Sequence, residues 1–362
     1  MLSVSRIQMP FPYRKNPFYG ELVRRMNGEM IERGLIRADQ CDYHDGFNLL
    51  NAFFFPRAPR ETLLTASRMI DFFFLCDDVY DTTSLNGRDI PMIEEMLETN
   101  VEVLRTRRLP PEPDALNRLA FDTMRELEES MEERQLRRLA DAIGDYLLRG
   151  SLALMKLWQR EEIPDPETYV RIRRNDVAMY PTIHISEFVG GVALPEEVHG
   201  HPVLAGMREA CCLQVALAND VLSYPKEVIR DRCPYNLVAV VAEHERVPLE
   251  EAALAVMDRV NACLHRFLEL ERRLPAWDAD TDRDVRTYVQ GMKDLMAGNW
   301  YWSFESTRYS SADSPFVELR TTTRLLRDKS RGHLVTAIPR DRELRRLRRL
   351  GRTRAKQPSP AS

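Results

Sequence analysis

A chain of 362 residues, 44% hydrophobic and 30% charged, has the composition of an ordinary globular protein and can bury a large core. The net charge of −4 gives it no overall basic character, and no apolar run approaches the roughly 18 residues that a membrane span needs. The charge is uneven. Residues 340–356 carry nine Arg or Lys against Asp341 and Glu343, which leaves −11 for the rest. Such a run can bind nucleic acid or anionic lipid, but the plainer expectation is a solvated, mobile tail, with no nucleic-acid partner. Met1 to Arg6 lacks the apolar stretch of a secretory signal, and the six cysteines show neither zinc spacing nor a disulfide framework. Free thiols in a reducing cytoplasm are expected.

Along the chain, the prolines of residues 9–17 exclude regular structure, and Asn16-Pro17 reads as the cap and first position of a helix to about Leu35. A second helical segment, about 38–54, runs into Phe53-Phe54-Phe55 before Pro56. Pro59 opens a third, on which Leu63, Ala66, Ile70, Phe73, Phe74 and Asp77 share one face. Asp81 lies one turn beyond Asp77, and Asp78 is turned aside by about 100°. An apolar stripe therefore ends in acids, which repel each other by a few tenths of a kcal/mol at i, i+4 spacing. Either a hard divalent cation such as Mg²⁺ sits there or the helix end is simply solvated.

Helical periodicity continues over 90–107, and Leu109-Pro-Pro-Glu-Pro113 breaks it. Two long patterns follow, 114–133 and 135–161, the second apolar nearly all round in its later half, as a central helix would be. Further segments cover 167–187, 204–230, 248–273 and 279–305. Only the short run Leu237–Ala242 has any strand character. The seven histidines give no ligand pair, and His199-Gly-His201 reads as a surface turn. With no repeat or linker, the expectation is one all-α domain.

Residues 219–227 place Asn219, Ser223 and Glu227 at i, i+4 and i+8, three oxygens on one helix face below the small apolar Cys212, Val215 and Ala216. Alone this is a polar solvent face. With the aspartates, two oxygen-rich clusters can hold several divalent ions between them.

Asp77-Asp78-Val79-Tyr80-Asp81 and Asn219-Asp220-Val221-Leu222-Ser223-Tyr224-Pro225-Lys226-Glu227 together resemble the two metal motifs of class I terpene synthases of the bacterial type. Arg173 resembles the family's diphosphate-sensing arginine, Asp176 and Val177 its linker and effector positions, and Arg308-Tyr309 its C-terminal Arg-Tyr pair. The resemblance covers about residues 9–310. It implies a single α-helical bundle of the class I terpenoid synthase type, over 1–310, around a central apolar cavity. A Pro-rich segment at 1–17 would cover the mouth, and 311–362 would be a basic extension. It further implies three Mg²⁺ ions held by Asp77, Asp78, Asp81, Asn219, Ser223 and Glu227. Arg173, Lys226, Arg308 and Tyr309 would grip the diphosphate. Asp176 and Val177 would form the helix break that turns a backbone carbonyl on the cation. Phe73, Phe74, Phe54 and Trp302 are the candidate lining, since aromatic faces attract a cation without offering a nucleophile. The implied partner is an isoprenyl diphosphate, with farnesyl diphosphate the first expectation and geranylgeranyl diphosphate the second, and a homodimer is allowed. A chain-elongating prenyltransferase and a catalytically dead isoprenoid-binding protein stay open as alternatives. One position departs from the pattern. Pro225 inside the second motif removes a backbone donor and crowds the carbonyl of Val221, so a kink is expected between Ser223 and Glu227.

Overall fold

The computed structural model describes residues 2–85, 90–306, 308–311 and 313–320, with the side chains of 79–85 outside the description. Fourteen α-helices are present among the described residues: α1 Tyr19–Glu32, α2 Cys41–Phe54, α3 Arg60–Leu85, α4 Ile90–Thr106, α5 Ala115–Leu127, α6 Glu133–Gly144, α7 Leu152–Gln159, α8 Pro166–Asp176, α9 Met179–Gly190, α10 Glu196–His199, α11 Pro202–Tyr224, α12 Leu237–His244, α13 Leu249–Glu271 and α14 Ala279–Glu305. Two π-helical turns, Asp145–Ser151 and Pro225–Arg230, continue α6 into α7 and extend α11. The only pairing of extended backbone among these residues is a parallel bridge between Leu2 and Phe316.

Local chemistry sets the ends of these helices. Asp114 caps α5 in a reciprocal box with Asn117, Asp165 accepts from the amides of Glu167 and Thr168 ahead of Pro166, and Asp278 does the same for α14. The expected cap Asn16 accepts from the Phe18 amide at 2.9 Å just ahead of α1, and it has a second task. It is buried, and its side-chain amide donates to the carbonyls of Phe55 and Ala58, pinning the chain before α1 to the turn between α2 and α3. Residues 237–242 are the first turns of α12, with every side chain buried. A run apolar on all sides reads alike in a buried strand and a buried helix, and here the Asn236 cap, accepting from the Val238 amide, selects the helix.

The helices stack around a cavity walled by α2, α3, α7, the α8–α9 junction, α11 and α14. Close approach depends on two glycines. A Cβ on Gly298 of α14 would stand 2.8 Å from the Phe53 carbonyl oxygen of α2, and one on Gly150 would stand 2.5 Å from the Asp176 nitrogen. The later half of the 135–161 pattern, expected to be a central helix, divides its side chains. Leu152 enters the core, whereas Leu154, Met155 and Trp158 face the cavity.

The packed body does not stop at 310. Phe316 and Leu319 are buried, the Val317 amide donates to the Leu2 carbonyl, and Ser3 bonds Glu318. Residues 316–320, expected in the extension, thus pack on the N-terminal stretch and help to bury it. The N-terminal segment lies along α13 through Arg6–Asp258 (2.7 Å), and along α14 through Lys15–Glu305 (3.1 Å). None of its described residues lines the cavity. The basic run 340–356 lies outside the described residues.

Candidate active site

The cavity holds about 270 Å³ and is polar at one end and apolar at the other. Phe54, Ile70, Phe73, Phe74, Leu154, Met155, Trp158 and Trp302 give it hydrocarbon walls, and Asp77, Arg173, Asp176, Asn219, Lys226, Glu227, Arg308 and Tyr309 its polar rim. All four aromatic residues expected in the lining are there. Phe73 meets Tyr146 edge to face at 5.6 Å, while Phe74 stacks on Phe47 at 4.1 Å, nearly parallel. The Trp302 indole donates to the Gly46 carbonyl, which fixes its ring against α2.

Asp77 projects into the cavity from α3, as its alignment with Phe73 requires, and Asp78 points instead toward Tyr43 of α2, whose hydroxyl it binds at 2.9 Å. Burial raises the Asp78 carboxyl, opposed by Tyr43, Arg308 and Lys226. The side chain of Asp81 lies outside the described residues.

Across the cavity, Asn219 and Glu227 line the wall of α11 and its π turn. Ser223 is fully buried one turn below Asn219, and its Oγ has no hydrogen-bond partner among the described residues. Asn219 Oδ1 accepts from Arg173 at 2.8 Å and its amide donates to the Tyr309 hydroxyl at 2.9 Å. Glu227 is steadied by the Asn236 amide at 3.0 Å. The kink expected at Pro225 takes the form of a π turn. The i→i+5 bond from the Asp231 amide to the Lys226 carbonyl (2.8 Å) closes it. Lys226 itself pairs with Asp231 at 3.0 Å.

Arg173 joins these parts. Its Nε donates to Asp220 at 2.8 Å, Nη1 to Asp176 at 2.7 Å and Nη2 to Asn219. Burial works to lower its pKa, but Asp220, Tyr169 and Asp176 hold it well above the usual value, so it stays charged. Three residues on, the chain breaks. Ala178 adopts a left-handed conformation (φ 54°) between α8 and α9. Pro181 has no amide to offer the Val177 carbonyl four residues earlier, so that oxygen is not consumed by the start of α9.

The chemistry of these donors suits a hard divalent cation: carboxylates, an amide oxygen and a hydroxyl, with the buried Ser223 Oγ left unmatched. Residues 68–266 match the profile of terpene synthase family 2, C-terminal metal binding. The chain belongs to the terpene synthase family. A relative named sesquiterpene synthase 3 from Postia placenta is 27% identical over 85% of this chain and 83% of its own. The 10-epi-cubebol synthase of Sorangium cellulosum is 28% identical over 74% and 84%. In fold, the germacradien-4-ol synthase of Streptomyces citricolor superposes with a TM-score of 0.72 at 23% identity, covering 83% of this chain and 99% of that one. The matched domain binds divalent metal in this family, and this terpene synthase has no described helix long and apolar enough to cross a membrane.

Several residues of the terpene synthase's site escaped the sequence reading. Asp220 stood inside the second motif without a task. It is wholly buried and accepts from Arg173, Tyr169 and the Leu237 amide, which makes it the anchor of Arg173. Burial pushes its carboxyl up against the pull of Arg173. Ser151 donates to Asp176 at 3.2 Å, and Tyr43 joins Asp78 to Arg308. The stripe Tyr43, Phe47, Leu50, Phe54 at helical spacing was the readable signal for Tyr43.

The histidine reading is corrected. His199 is buried, not on a surface turn, and lies 3.6 Å from Glu187, which His184 also meets at 3.1 Å. Ligand atoms of the three lie within 4.8 Å of one another, a metal-like spacing. Yet Arg138 already pairs with Glu187 at 3.0 Å, and the charges of Arg208 and Arg138 bear on His199, so a further dication there is opposed. The cluster is a buried structural node with its own pH signature. Burial, then Arg208 and Arg138, depress His199 to about 3, with Glu187 opposing. For Glu187, burial would raise the pKa, but His184, Arg138 and Gln135 hold it at about 2. Between about 6.5 and 3 the unfolded chain takes up a proton at His199 that the folded chain refuses, so stability falls with acid from about pH 6.5. Glu187 adds a stabilisation that is fully present above its ordinary value of 4.5 and is lost as pH falls toward 2. Thermal melts across pH 4–8 are expected to show the upper slope in the wild type and a flatter one in His199→Gln. An equal slope in both contradicts the assignment.

Proposed function

We propose that this terpene synthase ionises farnesyl diphosphate with Mg²⁺ and cyclises the resulting cation, releasing diphosphate. The observation that carries the reading is that Asp77 on α3, and Asn219 on α11 with Glu227 on its π turn, face one cavity whose far end is aromatic and aliphatic. Oxygen ligands on opposite walls suit a diphosphate held at the rim with its hydrocarbon tail inward. The sesquiterpene synthases among its relatives support the C15 chain.

Asp77, with Asp78 and Asp81, would hold metal on one wall, and Asn219, Ser223 and Glu227 on the other. Bound Mg²⁺, three ions in this reading, supplies positive charge to the leaving diphosphate. Arg173, Lys226, Arg308 and Tyr309 donate to its oxygens as the allylic C–O bond breaks and its electron pair departs with the diphosphate. Arg173 uses three of its five N–H donors on Asp220, Asp176 and Asn219, so two remain for the diphosphate, and its bond to Asp176 carries diphosphate binding toward the break at Val177. The Val177 carbonyl then aims a partial negative charge at the cation. Phe73, Phe74, Phe54 and Trp302 stabilise the cation by about 0.5–2 kcal/mol each and keep water away. The six free thiols accord with a reducing cytoplasm, which we take as its compartment.

Incubation with C10, C15 and C20 diphosphates and Mg²⁺, followed by gas chromatography, tests the reading. Cyclic C15 product is expected. Cyclic product from the C20 substrate alone makes it a diterpene cyclase, a longer diphosphate makes it an elongating prenyltransferase, and no turnover makes it a binding protein. Within an active enzyme, Phe73→Ala is expected to change the product mixture or release acyclic products. Unchanged products with a stability loss of about 3–5 kcal/mol return Phe73 to plain core.

A further inference from the structure

We propose that Tyr43 is a positioning residue that sets Arg308 at the mouth of the cavity through a hydroxyl shared with Asp78, an inference that rests on the diphosphate-ionising reading of the site. Tyr43 lies in the first turn of α2 and does not line the cavity. Arg308 Nη1 lies 2.8 Å from its hydroxyl oxygen, and Asp78 Oδ1 lies 2.9 Å from it. The direction of both bonds follows from chemistry. A guanidinium has only donors, so the tyrosine oxygen accepts from Arg308, and its single proton goes to Asp78. One neutral hydroxyl thus ties the aspartate-rich helix to the Arg-Tyr pair, two features more than two hundred residues apart in the chain.

The rings supply attraction without direction. The Arg308 guanidinium carbon lies 5.5 Å from the Tyr43 ring centre and 5.7 Å from those of Phe47 and Phe74, which are themselves stacked. On such a floor a planar cation can slide and turn at little cost, since cation–ring attraction changes slowly with position. The hydroxyl, with the angular demands of a hydrogen bond, fixes where the guanidinium points. Tyr43 is also 45% exposed, so its hydroxyl is not a core group whose loss would unfold the protein. With one N–H on the Tyr43 hydroxyl, Arg308 keeps other donors for diphosphate oxygens, so this bond can persist through binding. Tyr43 therefore holds Arg308 in place, while keeping Asp78 oriented.

The test is Tyr43→Phe, which keeps the ring and deletes the hydroxyl. On the full chain with farnesyl diphosphate and a series of Mg²⁺ concentrations, KM is expected to rise about tenfold, the scale of one hydrogen bond to a charged group, with kcat less affected and thermal stability unchanged. Binding of inorganic diphosphate with Mg²⁺, measured by calorimetry, is expected to weaken by a similar factor. In the combined variant with Asp78→Asn the loss should not exceed that of the worse single variant, because both remove one linkage. Wild-type KM and Mg²⁺ dependence in Tyr43→Phe, or losses that multiply in the combined variant, overturn the proposal. If the wild type makes no product from farnesyl diphosphate, the functional reading fails on its own. The diphosphate titrations still decide Tyr43, and equal affinities with and without the hydroxyl refute it.

Discussion

Asp77→Asn is expected to lower turnover of farnesyl diphosphate at least about a hundredfold, the scale of losing one well-placed stabiliser of developing charge. The substitution keeps the shape and one acceptor oxygen and removes only the negative charge that a hard cation prefers. Asp77 is singled out by position. It stands one helical turn beyond Phe73 and Phe74 and lines the cavity, at the boundary between hydrocarbon and polar rim. Asp78, turned toward Tyr43, should behave differently. Asp78→Asn is expected to be milder, with its deficit in diphosphate grip through Arg308, and raised Mg²⁺ should not restore it. Initial rates against Mg²⁺ concentration, with folding checked by circular dichroism, separate the two. Near-normal rates in Asp77→Asn place the metal elsewhere on α3.

Gly150→Ala is expected to damage both folding and catalysis. The added methyl would stand 2.5 Å from the Asp176 nitrogen, 2.6 Å from its Cα and 2.9 Å from the Asn175 carbonyl carbon. All three are backbone atoms, so no side-chain rotation relieves the clash, and α8 must move away from the π turn. Overpacking of this kind costs about 1–3 kcal/mol. The functional cost is larger, because the displaced residues are Asp176, which Arg173 and Ser151 both hold, and the neighbouring break at Val177. Turnover is expected to fall more than about tenfold, since a 1 Å misplacement near reacting atoms can cost a hundredfold. The surviving products should shift toward acyclic ones. The melting temperature and the product profile check both halves. A variant with wild-type stability and products shows that α8 has slack the packing does not suggest.

The helices and the two oxygen-rich clusters were legible in the sequence because both are written at fixed spacing. Asp77 and Phe73, or Asn219 and Glu227, are placed by 3.6 residues per turn, and that arithmetic holds whatever the neighbours do. What spacing does not encode is which distant residues meet. Asp220 differs from a solvated aspartate only by its encounter with Arg173, Tyr169 and the Leu237 amide, and two of those lie some fifty residues away. His199 followed a Gly- and Pro-rich turn and looked exposed, yet packing against Tyr288 and His184 buries it. Pro225 was visible as an irregularity. Its remedy, an i→i+5 turn that also re-aims Glu227 toward Asn236, depends on a partner from the following loop.

The most direct test of the central claim is a single titration of the metal-stripped, full-length protein with Mg²⁺ in the presence of farnesyl diphosphate. Diphosphate release and cyclic C15 product are followed in the same sample. Both are expected to rise together from zero as Mg²⁺ is added. Cyclic product formed without divalent metal, or farnesyl diphosphate left intact at saturating Mg²⁺, contradicts an ionisation driven from the walls that carry Asp77 and Asn219.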